Sequence, residues 1–333
     1  MDRKNILIIK CGALGDVVRT AFFLPPLYSK FNKAARIDWL TYKVSAELLR
    51  YNPYIRRIYT FSAFNLRQIE KRHYDWVISL DDERRICEVV RRLYSDRITG
   101  SYVANNGDLA YSEDASEWFD MGLISRFGKG MADLLKKKNH RTHTEIFERM
   151  LKIHVDKPCF FNKKKIKVVS FKKIVGRGRK IIGLNLNAGE RWPSKMMKHD
   201  EAAKLVRYLL NRKFTCVLLG GKDDLGYNRK IISLVKNRNL ILFKPVRLLE
   251  FAETISRLDL CISSDTLALH LAIAQGVPNI SFYSPTSAAE VDTFGTGLKI
   301  RSTKSDYCSY RPHADNSTIT CNRIVKVLKR MQW

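Results

Sequence analysis

Short apolar runs alternate along this chain with longer stretches of helical periodicity. The runs are ILIIK at 6–10, IDWLT at 37–41 and DWVISL at 75–80, then KIIGLN at 180–185, CVLLG at 216–220, LILF at 240–243, LCISS at 260–264 and NISFY at 279–283. Apolar runs without polar alternation suit strands covered on both faces, and their alternation with helices predicts parallel sheets of the α/β class. They fall into two series, so two α/β domains are expected. Helices are expected at Val44–Tyr51, Phe64–Arg72 and Glu83–Leu93, and an amphipathic terminal helix at Ile319–Met331, with apolar Ile324, Val325, Val327 and Leu328. The stretch 101–140 reads as irregular, and its basic run Lys136–Lys138 as part of a mobile acceptor loop or a solvated insertion. No repeat of solenoid length is present.

A length of 333 residues agrees with two domains. Between the two series, ten of the 24 residues of Lys157–Lys180 are Lys or Arg and none is acidic, with Pro158, Gly176 and Gly178 as breakers. This composition suits a solvated linker or an anion-attracting strip, and it places the boundary near residue 170, giving domains 1–170 and 171–333. Sixty Lys and Arg against 33 Asp and Glu leave a net charge of +27, which draws the chain toward anionic partners without choosing among them, and a Lys-rich background composition gives the same figure. Cys11, Cys87, Cys159, Cys216, Cys261, Cys308 and Cys321 contain no CxxC pair and no zinc-ligand spacing, so most are expected as buried thiols in a reducing compartment. Ile6–Ile9 is too short for a signal-peptide core, and Leu258–Tyr283 carries Asp259, Asp265 and His270, a poor membrane span. No secretion signal is expected, and a peripheral membrane position stays open.

Three turns carry candidate chemistry. Lys10-Cys-Gly-Ala-Leu-Gly15-Asp16 follows the first strand and leads into a helix expected to start near Val17. Glycines at such a turn let backbone approach a ligand, and the helix start favours negative charge. With Gly12 and Gly15 alone, neither the dinucleotide GxGxxG nor a Walker loop is present. Asp16 either caps the helix or acts as a general base at the carboxyl end of the sheet. The second turn, Asn185 to Lys195, holds Asn187, Gly189, Arg191 and Lys195; its cations neutralise a diphosphate or are merely solvated. In the third, Ser263-Ser264-Asp265-Thr266 ends a strand and opens an apolar helix carrying His270 before Gly276-Val277-Pro278, offering backbone N–H groups to an anion. Asp265 reads alternatively as the cap of that helix, and His270 as a structural residue.

In this order the segments resemble glycosyltransferase family 9, the ADP-heptose:lipopolysaccharide heptosyltransferases, through nearly the whole chain. Lys10…Gly15-Asp16 is similar to the family's opening Lys-x-x-x-x-Gly-Asp. Tyr74-Asp-Trp-Val-Ile-Ser-Leu80 looks like its Tyr/Phe-Asp-x-Val-Ile-x-Leu strand, and Arg97-Ile-Thr-Gly100 like its Arg-x-x-Gly turn. Lys195-Met196-Met197-Lys198 lies on the family's Lys-Arg-Trp-Pro, and Asp265, Thr266 and His270 on its Asp-Thr/Ser-x-x-x-His. Met196-Met197 in place of Arg-Trp, and Leu267 in place of glycine, imply differently shaped sugar and phosphate pockets. Cys308 and Cys321 are similar to the cysteine-bearing tails of some members, and two residues make no metal site.

The resemblance implies a GT-B architecture, two Rossmann-like doubly wound domains facing a central cleft, with acceptor on the first and nucleotide sugar on the second. It implies inverting transfer of a heptose or related sugar from a nucleotide-sugar donor, with ADP-heptose expected, to a lipopolysaccharide core or related anionic glycan. Asp16 is then the base, and Lys195 stabilises the leaving diphosphate together with backbone N–H groups of Thr266, Leu267 and Ala268, with no obligatory metal or other cofactor. Asn187, Gly189, Asp223, Asp224, Asp265 and His270 complete the expected donor site, with Asp223 and Asp224 on the ribose, and Lys10 and Gly15 serve the acceptor. The expected setting is a cytoplasmic monomer with peripheral contact to an anionic membrane. Two rivals stand beside it. A nucleic-acid-binding protein explains the charge but needs base-stacking aromatics or a reading helix, and neither is found. A relative that keeps the fold without turnover differs from an enzyme only by assay.

Overall fold

In the computed structural model, which describes residues 3–161, 166, 178–189 and 192–333, the strand series form two six-stranded sheets. The boundary expected near residue 170, most of the basic stretch around it, and Arg191 lie outside the described residues. The chain divides into two compact units, Met1–Phe161 and Asn162–Trp333.

The first unit is built on β1 (Lys4–Ile9), β2 (Ala35–Thr41), β3 (Ile55–Thr60), β4 (His73–Tyr74), β5 (Trp76–Ser79), β6 (Tyr94–Ser95), β7 (Ile98–Val103) and β8 (Leu109–Tyr111). The order is β3-β2-β1-β5-β7-β8, with β4 and β6 as a separate small pair. All pairs in the main sheet are parallel except β7 with β8. Ile6, Leu7, Ile8 and Ile9 are all buried, which is why β1 reads as an unbroken apolar run: a central parallel strand is covered on both faces. Each such side chain contributes roughly 1.5–3 kcal/mol of burial. The chain runs outward from β1 to β2 and β3, then crosses back to β5 and β7 on the other side. Right-handed crossovers therefore place helices on both faces.

The second unit repeats this plan with β9 (Ile181–Asn185), β10 (Thr215–Leu218), β11 (Leu240–Leu242), β12 (Leu260–Ser264), β13 (Asn279–Tyr283) and β14 (Gly297–Arg301), in the order β11-β10-β9-β12-β13-β14, all parallel. Helices His199–Asn211, Leu225–Val235 and Cys321–Arg330 share one core with the sheet. In the terminal helix Ile324 and Leu328 face that core, as its periodicity predicts.

Three corrections concern elements. The stretch 101–140, expected as irregular, holds the end of β7, all of β8, and helices Ser116–Phe119 and Gly128–Lys138, with Lys136–Lys138 in the last turn. Cations there oppose the negative end of the helix dipole. The helix expected near Val17 starts at Leu14. Strands β3, β8 and β14 gave no apolar run because each is an edge strand with exposed or half-exposed positions. Among the described residues, no helix is long and apolar enough to cross a membrane.

Candidate functional site

In each unit, most of the residues singled out from sequence collect where the strand order reverses, the place at which doubly wound sheets bind ligands beyond the strand carboxyl ends; Asp223 and Asp224 follow β10 instead. In the first unit that point lies between β1 and β5. Ile9 pairs with Leu40 on one side and Ser79 on the other, so Lys10 leaves the sheet beside Asp81. The Lys10 ammonium donates to Asp81 Oδ1 at 2.6 Å and lies 3.9 Å from Asp16 Oδ2. Burial opposes its charge, yet the Asp81 and Asp16 carboxylates outweigh burial and hold its pKa above the ordinary lysine value. The turn is pinned through Cys11, whose N–H donates to Asp81 Oδ2 and whose carbonyl accepts from Ser45 Oγ at 2.8 Å.

Asp16 is not the helix cap. Ala13 occupies that position without a side-chain hydrogen bond, and Asp16 stands in the first turn. One of its oxygens pairs with Arg19 at 2.8 Å, and its side chain is about one-third exposed (32%), so it is held from two sides yet reachable. Gly15 lies buried in the same turn. Sequence reasoning missed Asp81 and Arg19. The signal for Asp81 was an acid directly after the apolar run that pairs with β1; for Arg19 it was the i,i+3 spacing from Asp16.

In the second unit the reversal lies between β9 and β12. Asn185 pairs with Ser263, which brings the turns after both strands together. Thr266 Oγ1 donates to Asn185 Oδ1 at 2.7 Å, so Thr266 occupies the cap position of helix Leu267–Ala274 without a side-chain capping bond. Asp265 does not cap it either. Its Oδ2 accepts from Lys195 Nζ at 2.9 Å, its carbonyl accepts from the same ammonium at 2.8 Å, and its Oδ1 lies 3.3 Å from His270 Nε2. Burial alone would raise the Asp265 carboxyl, but the Lys195 ammonium and the His270 ring hold it well below the usual carboxylate range. Leu267 and Ala268 open the helix, where first-turn N–H groups have no intrahelical acceptor.

Lys195 ends a short 3₁₀ turn, Pro193–Lys195, which is fixed from several directions. Ser194 N donates to the Pro312 carbonyl, Met197 N donates to that of Leu186, and the buried Met197 side chain joins the core. Of the three N–H groups an ammonium carries, Asp265 takes two.

Asp223 and Asp224 separate. Asp223 is exposed, whereas Asp224 is buried and already engaged: its Oδ1 accepts from Asn187 Nδ2 at 2.9 Å and Gly189 N at 3.2 Å, and its Oδ2 from Gly221 N at 2.8 Å. Asp224 thus ties the turns after β9 and β10 together. Gly220 permits this, since at its φ of +151° a Cβ would come within 2.5 Å of the Asp224 side chain. Sequence reasoning also missed the buried Glu290, whose carboxylate accepts from the Tyr310 hydroxyl at 3.1 Å. Burial first, then Glu290, with a smaller effect of Asp265, keeps that hydroxyl protonated. No spacing rule joins residues 20 apart in two loops.

All seven cysteines are free and six are buried, with Cys159 partly so. Burial pushes the Cys216 and Cys261 thiols up to about 12, which makes them inert packing residues.

A family model described as glycosyltransferase family 9 (heptosyltransferase) matches residues 65–318. No curated protein matches the chain. Among solved structures, the glycosyl transferase family 9 protein of Veillonella parvula DSM 2008 is 17% identical, with a TM-score of 0.70 over 99% of this chain and 97% of its own. The ADP-heptose lps heptosyltransferase II of E. coli is also 17% identical, with a TM-score of 0.66 over 98% of each chain. The E. coli heptosyltransferase WaaC with ADP is 14% identical, with a TM-score of 0.62 over 98% of this chain and 97% of its own. At these identities the likeness establishes the fold: two Rossmann-like units of the GT-B type.

Proposed function

The chain belongs to glycosyltransferase family 9 and is a glycosyltransferase, and from that premise we propose that it transfers a heptose or related sugar, with inversion, from ADP-heptose to an anionic lipopolysaccharide core or related glycan. The donor reading is supported by solved relatives described with ADP and with ADP-2-deoxy-2-fluoro heptose. The observation that carries it is the Lys195–Asp265–His270 cluster at the start of helix Leu267–Ala274. A positioned ammonium beside a helix N-terminus is suited to a diphosphate as it takes on charge.

In this mechanism the acceptor hydroxyl attacks the anomeric carbon and gives its proton to Asp16, while the bond from that carbon to the diphosphate breaks. Lys10 and Arg19 fix the Asp16 carboxylate, and Lys10 adds positive charge toward an anionic acceptor. The remaining Lys195 N–H and the N–H groups at Thr266–Ala268 receive the leaving diphosphate, so no obligatory metal is assigned. Asn187 and Gly189 shape the donor turn, and Asp223 is assigned to the ribose; Asp224 supports that turn from beneath. The protein acts as a monomer at the cytoplasmic face of an anionic membrane, to which its +27 charge draws it.

The test is ADP release from ADP-heptose with a core acceptor. Asp16→Ala should lower turnover at least ~100-fold, the usual effect of removing a general base. Unchanged turnover would remove Asp16 from the mechanism, and absent turnover in the wild type would favour a relative that binds without catalysing.

A further inference from the structure

Helix Gly128–Lys138 and the turn before it leave Leu123, Phe127, Met131 and Leu134 exposed by 89, 54, 47 and 52%. At 3.6 residues per turn, Phe127, Met131 and Leu134 share one face, while Ala132 on the opposite face is buried. Single exposed apolar residues are ordinary on a protein surface; a row of large ones along one helix is not. The surround is cationic. Residues 126–141 contain six Lys and Arg and one acid; Lys129 pairs with Asp133, Arg126 with Glu113 and Asp120, and Arg141 with Glu117, so the excess positive charge lies at the helix end with Lys137 and Lys138. Lys136, Lys137 and Lys138 close the helix, with Lys138 on the apolar face's own side.

We infer that this helix docks on an anionic phospholipid bilayer, with Phe127, Met131 and Leu134 entering the headgroup boundary and Lys137 and Lys138 on the lipid phosphates. An apolar face with a basic rim is the pattern of helices that lie in the membrane interface. Charge complementarity selects this occupant over a second copy of the chain: a two-fold contact sets the same patch against itself and so brings two basic segments together. The inference deepens the membrane contact proposed above and rests on it only for the choice of partner.

The experiment is co-sedimentation of the full chain, without substrates, with vesicles of phosphatidylcholine alone or with added phosphatidylglycerol. The wild type is expected to bind the phosphatidylglycerol vesicles and to release as salt rises. A Phe127→Ser, Met131→Ser, Leu134→Ser triple variant should bind at least ~10-fold more weakly, as should Lys137→Glu with Lys138→Glu. Both should retain wild-type melting and wild-type turnover on a soluble acceptor, which separates a failure of docking from a failure of the transfer reading. Wild-type binding to neither vesicle, vesicle binding unchanged in both variants, or a wild-type dimer that the triple variant dissociates would each overturn the inference.

Discussion

Asp265 sits where burial and charge oppose each other, and charge prevails: with Lys195 at 2.9 Å and His270 at 3.3 Å, its folded pKa lies well below the ordinary carboxylate value of about 3.9. A depressed folded pKa means the group adds stability above the unfolded pKa and loses it as pH falls through the folded one. Asp265→Asn should therefore cost about 3 kcal/mol at neutral pH, because Lys195, largely shielded from solvent, is left without its counter-charge. The gap between variant and wild type should narrow below about pH 4. Urea denaturation at a series of pH values checks this; a gap independent of pH would mean the carboxylate charge is not what stabilises the turn. The residue types at this site were legible in the sequence, since Asp-Thr before an apolar helix marks a helix start. Their partners were not. Asp16 and Asp265 both read as possible caps by position, and in both cases an ion pair across the turn took precedence over capping.

Gly100, in the segment similar to the family's Arg-x-x-Gly turn, belongs to a strand. It stands opposite Ser79 between β5 and β7 with φ at +107°, and a Cβ there would lie 1.8 Å from the Ser79 carbonyl oxygen. That carbonyl is backbone and cannot swing aside. Gly100→Ala should destabilise the protein by at least ~2 kcal/mol through clash and positive φ together, read as a lower urea midpoint at unchanged slope. A midpoint equal to that of wild type would show that the strand pair shifts freely. At this scale most legible elements were central strands, which leave continuous apolar runs when covered on both faces; the exceptions are central β7, whose ITGSYV is rich in small and polar residues, and edge strand β11, whose LIL is apolar. Edge strands β3, β8 and β14 were hidden because solvent on one side admits polar residues into the run. Helix Gly128–Lys138 was hidden for a related reason: its apolar residues face outward and Gly128 and Gly130 interrupt its start.

For the whole molecule, ligand binding is a change in the folding equilibrium, since a nucleotide held only by the folded chain stabilises it by about 2.7 kcal/mol at one hundred times its dissociation constant. In a thermal-shift comparison of ADP, GDP and UDP, ADP should raise the melting temperature most, and Lys195→Ala should blunt that rise. Equal shifts in both proteins would show that Lys195 does not touch the diphosphate, while a GDP or UDP preference would keep the fold and change the donor. The sequence by itself determined the α/β class, the two strand series, the order of the motif segments and an excess of positive charge, because periodicity and turn chemistry act over a few neighbouring residues. Only the tertiary structure decided which distant side chains meet: Lys10 with Asp81, 71 residues apart, and Lys195 with Asp265, 70 apart. The strand order, which no local pattern encodes, brings β1 beside β5 and β9 beside β12, and each ion pair forms where those neighbouring strands end.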